Sequence, residues 1–177
     1  HSRVLLLTRS SPPAWIDLKR DSPPVSLPEL GSSTNSWWGW FGTNTLCHWN
    51  GTNQIVVHEL RDAEFIRLGA IVLASGMRPT GFTYNPTRRL LAWSEGTNSA
   101  SVYLASLAAP GRRIELKGDV PGLGPFRFSE DGTYLTAWTK GHPRQSTQDT
   151  LRVWNVDAGQ IVASIGEVVY SAIFTTG

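Results

Sequence analysis

The chain has 177 residues, of which 40% are hydrophobic and 17% are charged, and its formal net charge at pH 7 is +2. These values are typical of a soluble globular protein and exclude intrinsic disorder, while the thinly scattered basic residues predict no nucleic-acid partner. Cys47 is the only cysteine, which excludes an internal disulfide and favours a cytoplasmic location.

The first predicted unit, residues 1–31, contains three short segments that we interpret as β-strands. They are residues 4–7, 14–18 and 25–31. None is long enough to cross a membrane, and the N-terminus lacks the basic segment and apolar stretch of a secretory signal. We therefore expect no membrane partner.

The next three units each contain four predicted strands in the same order. Each unit has an aromatic first strand, a second strand ending in Trp, a β-rich third strand, and an apolar last strand ending in Gly. In the unit 32–69 these strands are residues 37–41, 45–49, 55–60 and 65–69; in 70–118 they are 82–84, 90–93, 102–107 and 114–118; in 119–166 they are 126–128, 134–138, 151–156 and 161–166. Within the last stretch, 167–177, residues 169–174 match the aromatic first strand again.

The spacing of three tryptophans supports this repeat. Trp93 follows Trp49 by 44 residues, Trp138 follows Trp93 by 45, and each has a glycine two or three residues later. No segment sustains the 3.6-residue apolar period of a helix. Four-stranded units of this length are typical of propeller blades. The sequence thus predicts an all-β fold: a β-propeller of four-stranded antiparallel blades, with about four blade equivalents.

One unit resembles a specific family. Residues 126–135, FRFSEDGTYL, resemble the aromatic-x-aromatic-Ser-x-Asp-Gly turn of a WD-repeat blade, and residues 151–160, LRVWNVDAGQ, resemble its third strand, with Asn155 in place of the usual Asp. The Gly-His pair that opens many WD blades is missing, because Asp119 and Glu167 follow the glycines. The resemblance is to a divergent WD-like propeller, and it implies a protein-interaction scaffold or recognition module without a cofactor.

The strand count leaves two arrangements open. Residues 169–174 could complete the first unit and close a four-bladed ring, or the chain could be a cleaved or truncated segment of a larger ring. In the second case another chain or segment, a protein partner, would supply the remaining blades. Unclosed blades would expose apolar faces and strand edges, but four-bladed rings are rare in the WD family. We expect the segment.

The predicted binding surface is the rim that carries the longest connections. Connections between units, and those between second and third strands, share this rim in a propeller; they include residues 70–79, 119–124 and 141–149. Irregular loops on one face of a repeat scaffold are where binding is usually placed. The candidate partner contacts are Arg78, Asp119, His142 and Arg144. The alternative is that these loops are merely tolerated insertions.

No catalytic constellation is visible, so we expect neither an enzyme nor a metal site. His48 and His58 lie on neighbouring predicted strands and could share a site, but hydrogen-bonded or outward-facing histidines are the favoured interpretation. The aromatic segment 37–41 could stack on a ligand, but alternation along a strand favours core packing on both faces. The alternative function is an enzyme or small-ligand-binding propeller with its site in the central channel.

Overall fold

The computed structural model describes ten stretches of the chain, and all regular structure within them is β-strand. These stretches are residues 3–6, 14–17, 23–26, 37–49, 51–62, 64–74, 76–95, 101–116, 123–139 and 150–166. Their strands form four antiparallel sheets, and within each sheet the strands follow chain order. The predicted all-β fold of four-stranded antiparallel units is confirmed.

The first sheet has three described strands. They are β1 (Arg3–Leu6), β2 (Ala14–Asp17) and β3 (Val25–Ser26). The strand predicted at residues 169–174, which would complete this sheet, lies outside the described residues. The preference for a segment of a larger ring over a closed four-bladed ring therefore stays a prediction.

The other three sheets have four strands each, as the repeat predicts. The second contains β4 (Trp37–Phe41), β5 (Thr45–Trp49), β6 (Gln54–Arg61) and β7 (Glu64–Val72). The third contains β8 (Pro79–Asn85), β9 (Leu90–Glu95), β10 (Ser101–Ser106) and β11 (Ala109–Leu116). The fourth contains β12 (Leu123–Phe128), β13 (Tyr134–Thr139), β14 (Thr150–Asn155) and β15 (Gln160–Ile165).

The third sheet buries both of its faces. Leu91 and Trp93 join a hydrophobic core with the second sheet, whereas Ala92, between them on β9, joins a core with the fourth sheet. All three side chains are fully buried. Because successive side chains on a strand point to opposite faces, a strand packed on both sides needs apolar residues at every position.

Neighbouring sheets meet at corresponding strands. The first strand of the third sheet, β8, contacts β4 on one side and β12 on the other, and the last strands β7 and β11 also contact each other. Propeller blades pack in this manner around their axis, with first strands innermost. The second, third and fourth sheets are therefore arranged as consecutive blades.

Several strands are longer than predicted; β8 begins at Pro79 and β12 at Leu123, each three residues before its predicted start. Strand β7 continues to Val72, so the predicted connection 70–79 shrinks to residues 73–78. Strand β11 begins at Ala109, before its predicted start at residue 114. The side chains of residues 109–112 are exposed, so they carry no alternating apolar signal, and Pro110 is tolerated because β11 lies at a sheet edge.

Candidate partner-binding rim

Of the four predicted partner contacts, the structure describes one. Arg78 is exposed in the connection between β7 and β8, whereas Asp119, His142 and Arg144 lie outside the described residues. The β7–β8 connection lies on the same side of the second sheet as the β5–β6 turn, because antiparallel pairing brings the ends of β5 and β7 to one edge. Arg78 thus lies on the predicted rim.

Backbone hydrogen bonds hold these two loops together. The amide N–H of Leu73 donates to the carbonyl of Asn53 over 2.7 Å, which joins the β7–β8 connection to the β5–β6 turn. Within the turn, the indole Nε1 of Trp49 donates to the carbonyl of Thr52, also at 2.7 Å. Gly76 supplies a left-handed backbone, with φ of 73°, which a residue with a side chain rarely adopts. The rim is therefore built on a fixed backbone.

Arg78 lies over the ring of Trp49. Its guanidinium carbon is 5.3 Å from the ring centroid, a cation–π distance that contributes about 0.5–1 kcal/mol at an exposed site. The indole is only 4% exposed, so the arginine covers a buried aromatic face. Within the described residues no carboxylate pairs with Arg78. Its charge is held in place and faces solvent.

An apolar side chain accompanies this arginine. Met77, its neighbour in the chain, is 44% exposed. We call Met77 and Arg78, with Trp49 beneath the arginine, the rim patch. It combines a positioned cation with exposed aliphatic surface, a composition that occurs at the centre of protein interfaces.

The opposite rim is occupied by contacts between sheets. The side-chain amide of Asn85 donates to the carbonyls of Ser129 and Glu130 over 3.1 and 3.0 Å. Arg88 donates to the carbonyl of Gly132 at 3.0 Å and pairs with Asp157. We call these contacts the cross-sheet latch. These contacts bind the third sheet to the fourth, so the polar groups that make them are already engaged within the molecule.

The Ser-x-Asp-Gly turn of the fourth sheet, residues 129–132, has a structural role. The Asp131 carboxylate accepts hydrogen bonds from the Thr133 hydroxyl at 2.6 Å, the Ser129 hydroxyl at 2.7 Å and the Thr133 amide at 3.0 Å. These bonds, led by those from the Thr133 and Ser129 side chains, lower the pKa of Asp131 to about 2. The charged carboxylate thus fixes the turn between β12 and β13.

The structure brings His48 and His58 together. Their ring centroids are 5.3 Å apart, and the two residues are 3% and 4% exposed. Within the part of the chain that the structure describes, the Nδ1 atoms of both rings and Nε2 of His58 have no hydrogen-bond partner. The expectation of hydrogen-bonded or outward-facing histidines is therefore wrong, because strand pairing turns both rings into a buried aromatic face.

Cys47, next to His48, belongs to the opposite face. It lies in the core between the second and third sheets, and burial raises the pKa of its thiol well above the usual value. A protonated, inaccessible thiol is not a nucleophile. Cys47 is therefore a packing residue.

The aromatic segment of β4 is only partly buried. Trp38 stacks on His48 with ring centroids 4.7 Å apart, but Trp37 and Trp40 are 40% and 43% exposed. The expectation of core packing was wrong for these two tryptophans, since β4 is the innermost strand and is covered less than its neighbours.

Neither the described side chains nor the comparison with known proteins assigns a function to the chain. The described stretches contain no group of three or more His, Cys, Asp or Glu side chains placed to hold a metal ion. They also contain no helix with the length and apolarity needed to span a membrane. No protein-family model and no curated protein sequence matches the chain. Functional inference therefore depends on the geometry described above.

Proposed function

We propose that this protein is an interaction module of the WD-like propeller type, and that it binds a protein partner through the rim patch. The observation that carries the proposal is the exposed guanidinium of Arg78 held over Trp49. Arginine and tryptophan are enriched among residues that dominate binding energy. A guanidinium that is already positioned loses less conformational freedom on binding.

The composition of the rim patch suggests the chemistry of the partner. Arg78 can bind a carboxylate with two parallel hydrogen bonds, and the exposed Met77 can cover an adjacent apolar side chain. We therefore expect a peptide segment in which an Asp or Glu lies next to an aliphatic or aromatic residue. Methionine suits such a surface because its flexible side chain adapts to different partners.

Selection from a random peptide library tests this proposal. Peptides displayed on phage are selected against the purified chain, and the affinity of enriched sequences is measured by titration. We expect acidic residues beside apolar ones, and we expect Arg78→Glu to weaken binding by about 30-fold or more, since loss of an interface hot spot costs about 2 kcal/mol.

The matched control is Arg112→Glu, which makes the same charge change at an exposed residue of β11. Its affinity for the selected peptides should stay within about twofold of the parent. Peptides that bind Arg78→Glu as tightly as the parent chain would overturn the assignment to the rim patch.

A further inference from the structure

The buried histidine pair belongs to a row of four rings across the second sheet. Trp38 on β4 stacks on His48 of β5, with ring centroids 4.7 Å apart and planes 18° from parallel. His48 faces His58 of β6 at 5.3 Å and 26°. Phe65 of β7 meets His58 edge-on, with centroids 6.4 Å apart. Two ionisable rings are thus enclosed between two aromatic ones.

Three nitrogens of the pair have no hydrogen-bond partner among the described residues. They are Nδ1 of His48 and both ring nitrogens of His58. Buried polar atoms without a partner are rare in folded proteins, and each one that occurs needs a physical explanation. Hydrogen bonding alone therefore does not account for two histidines at these positions.

Charge around the pair is one-sided. Arg67 is the register partner of His58 and shares its face, because directly paired residues point the same way. Strand β4 carries no ionisable residue, Cys47 of β5 faces the other core, and Glu59 of β6 lies on the opposite face, where it pairs with Arg61. Among the described residues, no carboxylate offsets a charge on either ring.

Burial and neighbouring charge both oppose protonation. Burial, then His58 and Arg67, lower the pKa of His48 to about 4. Burial and Arg67 lower the pKa of His58 to about 4 as well. The rings are therefore neutral at pH 7, and their pKa returns to the ordinary value of 6.5 only if the row of rings opens to water.

We propose that His48 and His58 form an acid-operated switch, in which protonation of the pair separates the rings and opens the second sheet on the face opposite the third. Since an open ring binds a proton more tightly than a closed one, acid shifts the population toward the open state. With a pKa of 6.5 open and about 4 closed, each ring favours opening by about 20-fold at pH 5 relative to pH 7.

The test combines ring titration with amide hydrogen exchange on the full chain. Nuclear magnetic resonance of the imidazole carbons should show two histidines that titrate near pH 4. After correction for intrinsic exchange rates, amides of β5 and β6 should exchange at least 30-fold faster at pH 5 than at pH 7, whereas amides of β13 and β14 should change little.

Two variants separate the switch from general acid unfolding. His58→Phe keeps an aromatic ring in the row and removes one proton site, so it should reduce the acid response of β5 and β6 by about 20-fold. His58→Gln repeats the test with a polar side chain if the larger ring disturbs folding. His142→Gln is the control and should leave the response unchanged.

Three results would overturn the proposal: ordinary titration of both rings near pH 6.5, opening of β5 and β6 at the same pH in the His58 variants, or loss of protection in all sheets together. Tight binding of zinc ions at pH 7 that shifts both ring resonances would also overturn it, because the ring nitrogens would then serve a metal. The wild-type titration decides the question even if neither variant folds.

Discussion

Asp131 shows how one carboxylate organises a turn. It accepts two hydroxyl donors and one amide donor from Ser129 and Thr133, and Gly132 between them adopts φ of 71°. A side chain at Gly132 would also lie 2.7 Å from Arg88, so glycine is required for space as well as for conformation. The turn and the cross-sheet latch therefore depend on the same few residues.

The pH dependence of stability should report this turn. The pKa of Asp131 falls from 3.8 to about 2 on folding, so the unfolded chain holds its proton more tightly. The stabilisation is complete above about pH 4 and is lost as the pH falls toward 2. Asp131→Asn should lower the free energy of unfolding at pH 6, and the difference from wild type should shrink by pH 2.5 in urea denaturation.

Glu130→Gln is the matched control for that measurement, because it leaves all three hydrogen bonds to Asp131 in place. A difference from wild type that stays constant between pH 6 and pH 2.5 in Asp131→Asn would contradict the role given to the carboxylate.

Single residues differ in how far sequence predicts their role. The Ser-x-Asp-Gly pattern at residues 129–132 is local, so its turn could be predicted. The contact between His48 and His58 depends on strand register, which the sequence does not fix to the residue. Their burial depends on what covers that face. The sequence therefore predicted that the two histidines lie on neighbouring strands, but it did not predict that their rings stack in a buried position.

At the scale of elements, one network joins strands within the third sheet. Trp93 on β9 donates its indole N–H to Glu95 over 2.7 Å. Arg113 of β11 donates to the same carboxylate at 3.0 Å and lies 4.0 Å above the ring of Tyr103 on β10. Side-chain contacts thus connect β9, β10 and β11, in addition to the backbone hydrogen bonds between these strands.

The cross-sheet latch gives a prediction at this scale. Asn85 is 3% exposed, and its amide donates to two carbonyls of the fourth sheet. Asn85→Asp replaces that donor with an oxygen that faces both carbonyls, and we expect the free energy of unfolding to fall by about 2–3 kcal/mol. Urea denaturation followed by circular dichroism measures the change.

Asn53→Asp provides the control, since Asn53 is exposed and makes its contact with Leu73 through the backbone carbonyl. It should change stability by less than about 0.5 kcal/mol. Equal effects of the two substitutions would mean that the latch does not join the sheets.

Strand boundaries show what limits prediction at this scale. The strands β9 and β14 carry strong apolar patterns, with β9 buried along nearly its whole length, and both were located closely. The beginning of β11 lies at an exposed edge, where backbone pairing continues without apolar side chains. The latch was missed for a different reason: 44 residues separate Asn85 from Ser129, and a sequence does not show which turns become neighbours.

At the scale of the whole molecule, the described residues form two hydrophobic cores that share the third sheet. One includes Trp93 and Leu107 with side chains of the second sheet, and the other includes Leu104 with Leu135 and Trp154 of the fourth. In repeat architectures, stability is approximately a sum over units and their nearest-neighbour interfaces. Damage to one interface should therefore weaken the adjoining sheets most.

A cavity in one core tests this arrangement. Leu104 is 2% exposed, and Leu104→Ala should lower the free energy of unfolding by about 3 kcal/mol. Hydrogen exchange should show the largest loss of protection in the third and fourth sheets and a smaller loss in the second.

Val162→Ala removes aliphatic carbons from a side chain that is 55% exposed, and it should have little effect. Equal loss of protection in all three sheets of Leu104→Ala would contradict the description of two separate interfaces.

The general architecture was predictable because each blade repeats the same apolar pattern, and consecutive packing follows from it. The sequence predicted which side of the molecule carries the binding rim, but not the contacts within that rim. Arg78 was selected from the sequence for its loop, but its position over Trp49 depends on a loop that returns across the β5–β6 turn, and no local pattern encodes that return.

The contact between Arg78 and Trp49 also allows the binding of a peptide to be detected through Trp49. The chain has eight tryptophans, and Trp49 is the one whose ring lies beneath Arg78. Biosynthetic incorporation of fluorotryptophan would give each indole a separate fluorine resonance. Binding of a peptide carboxylate to the arginine would then shift the Trp49 signal, so that binding at this rim could be observed without an attached dye or a change in sequence.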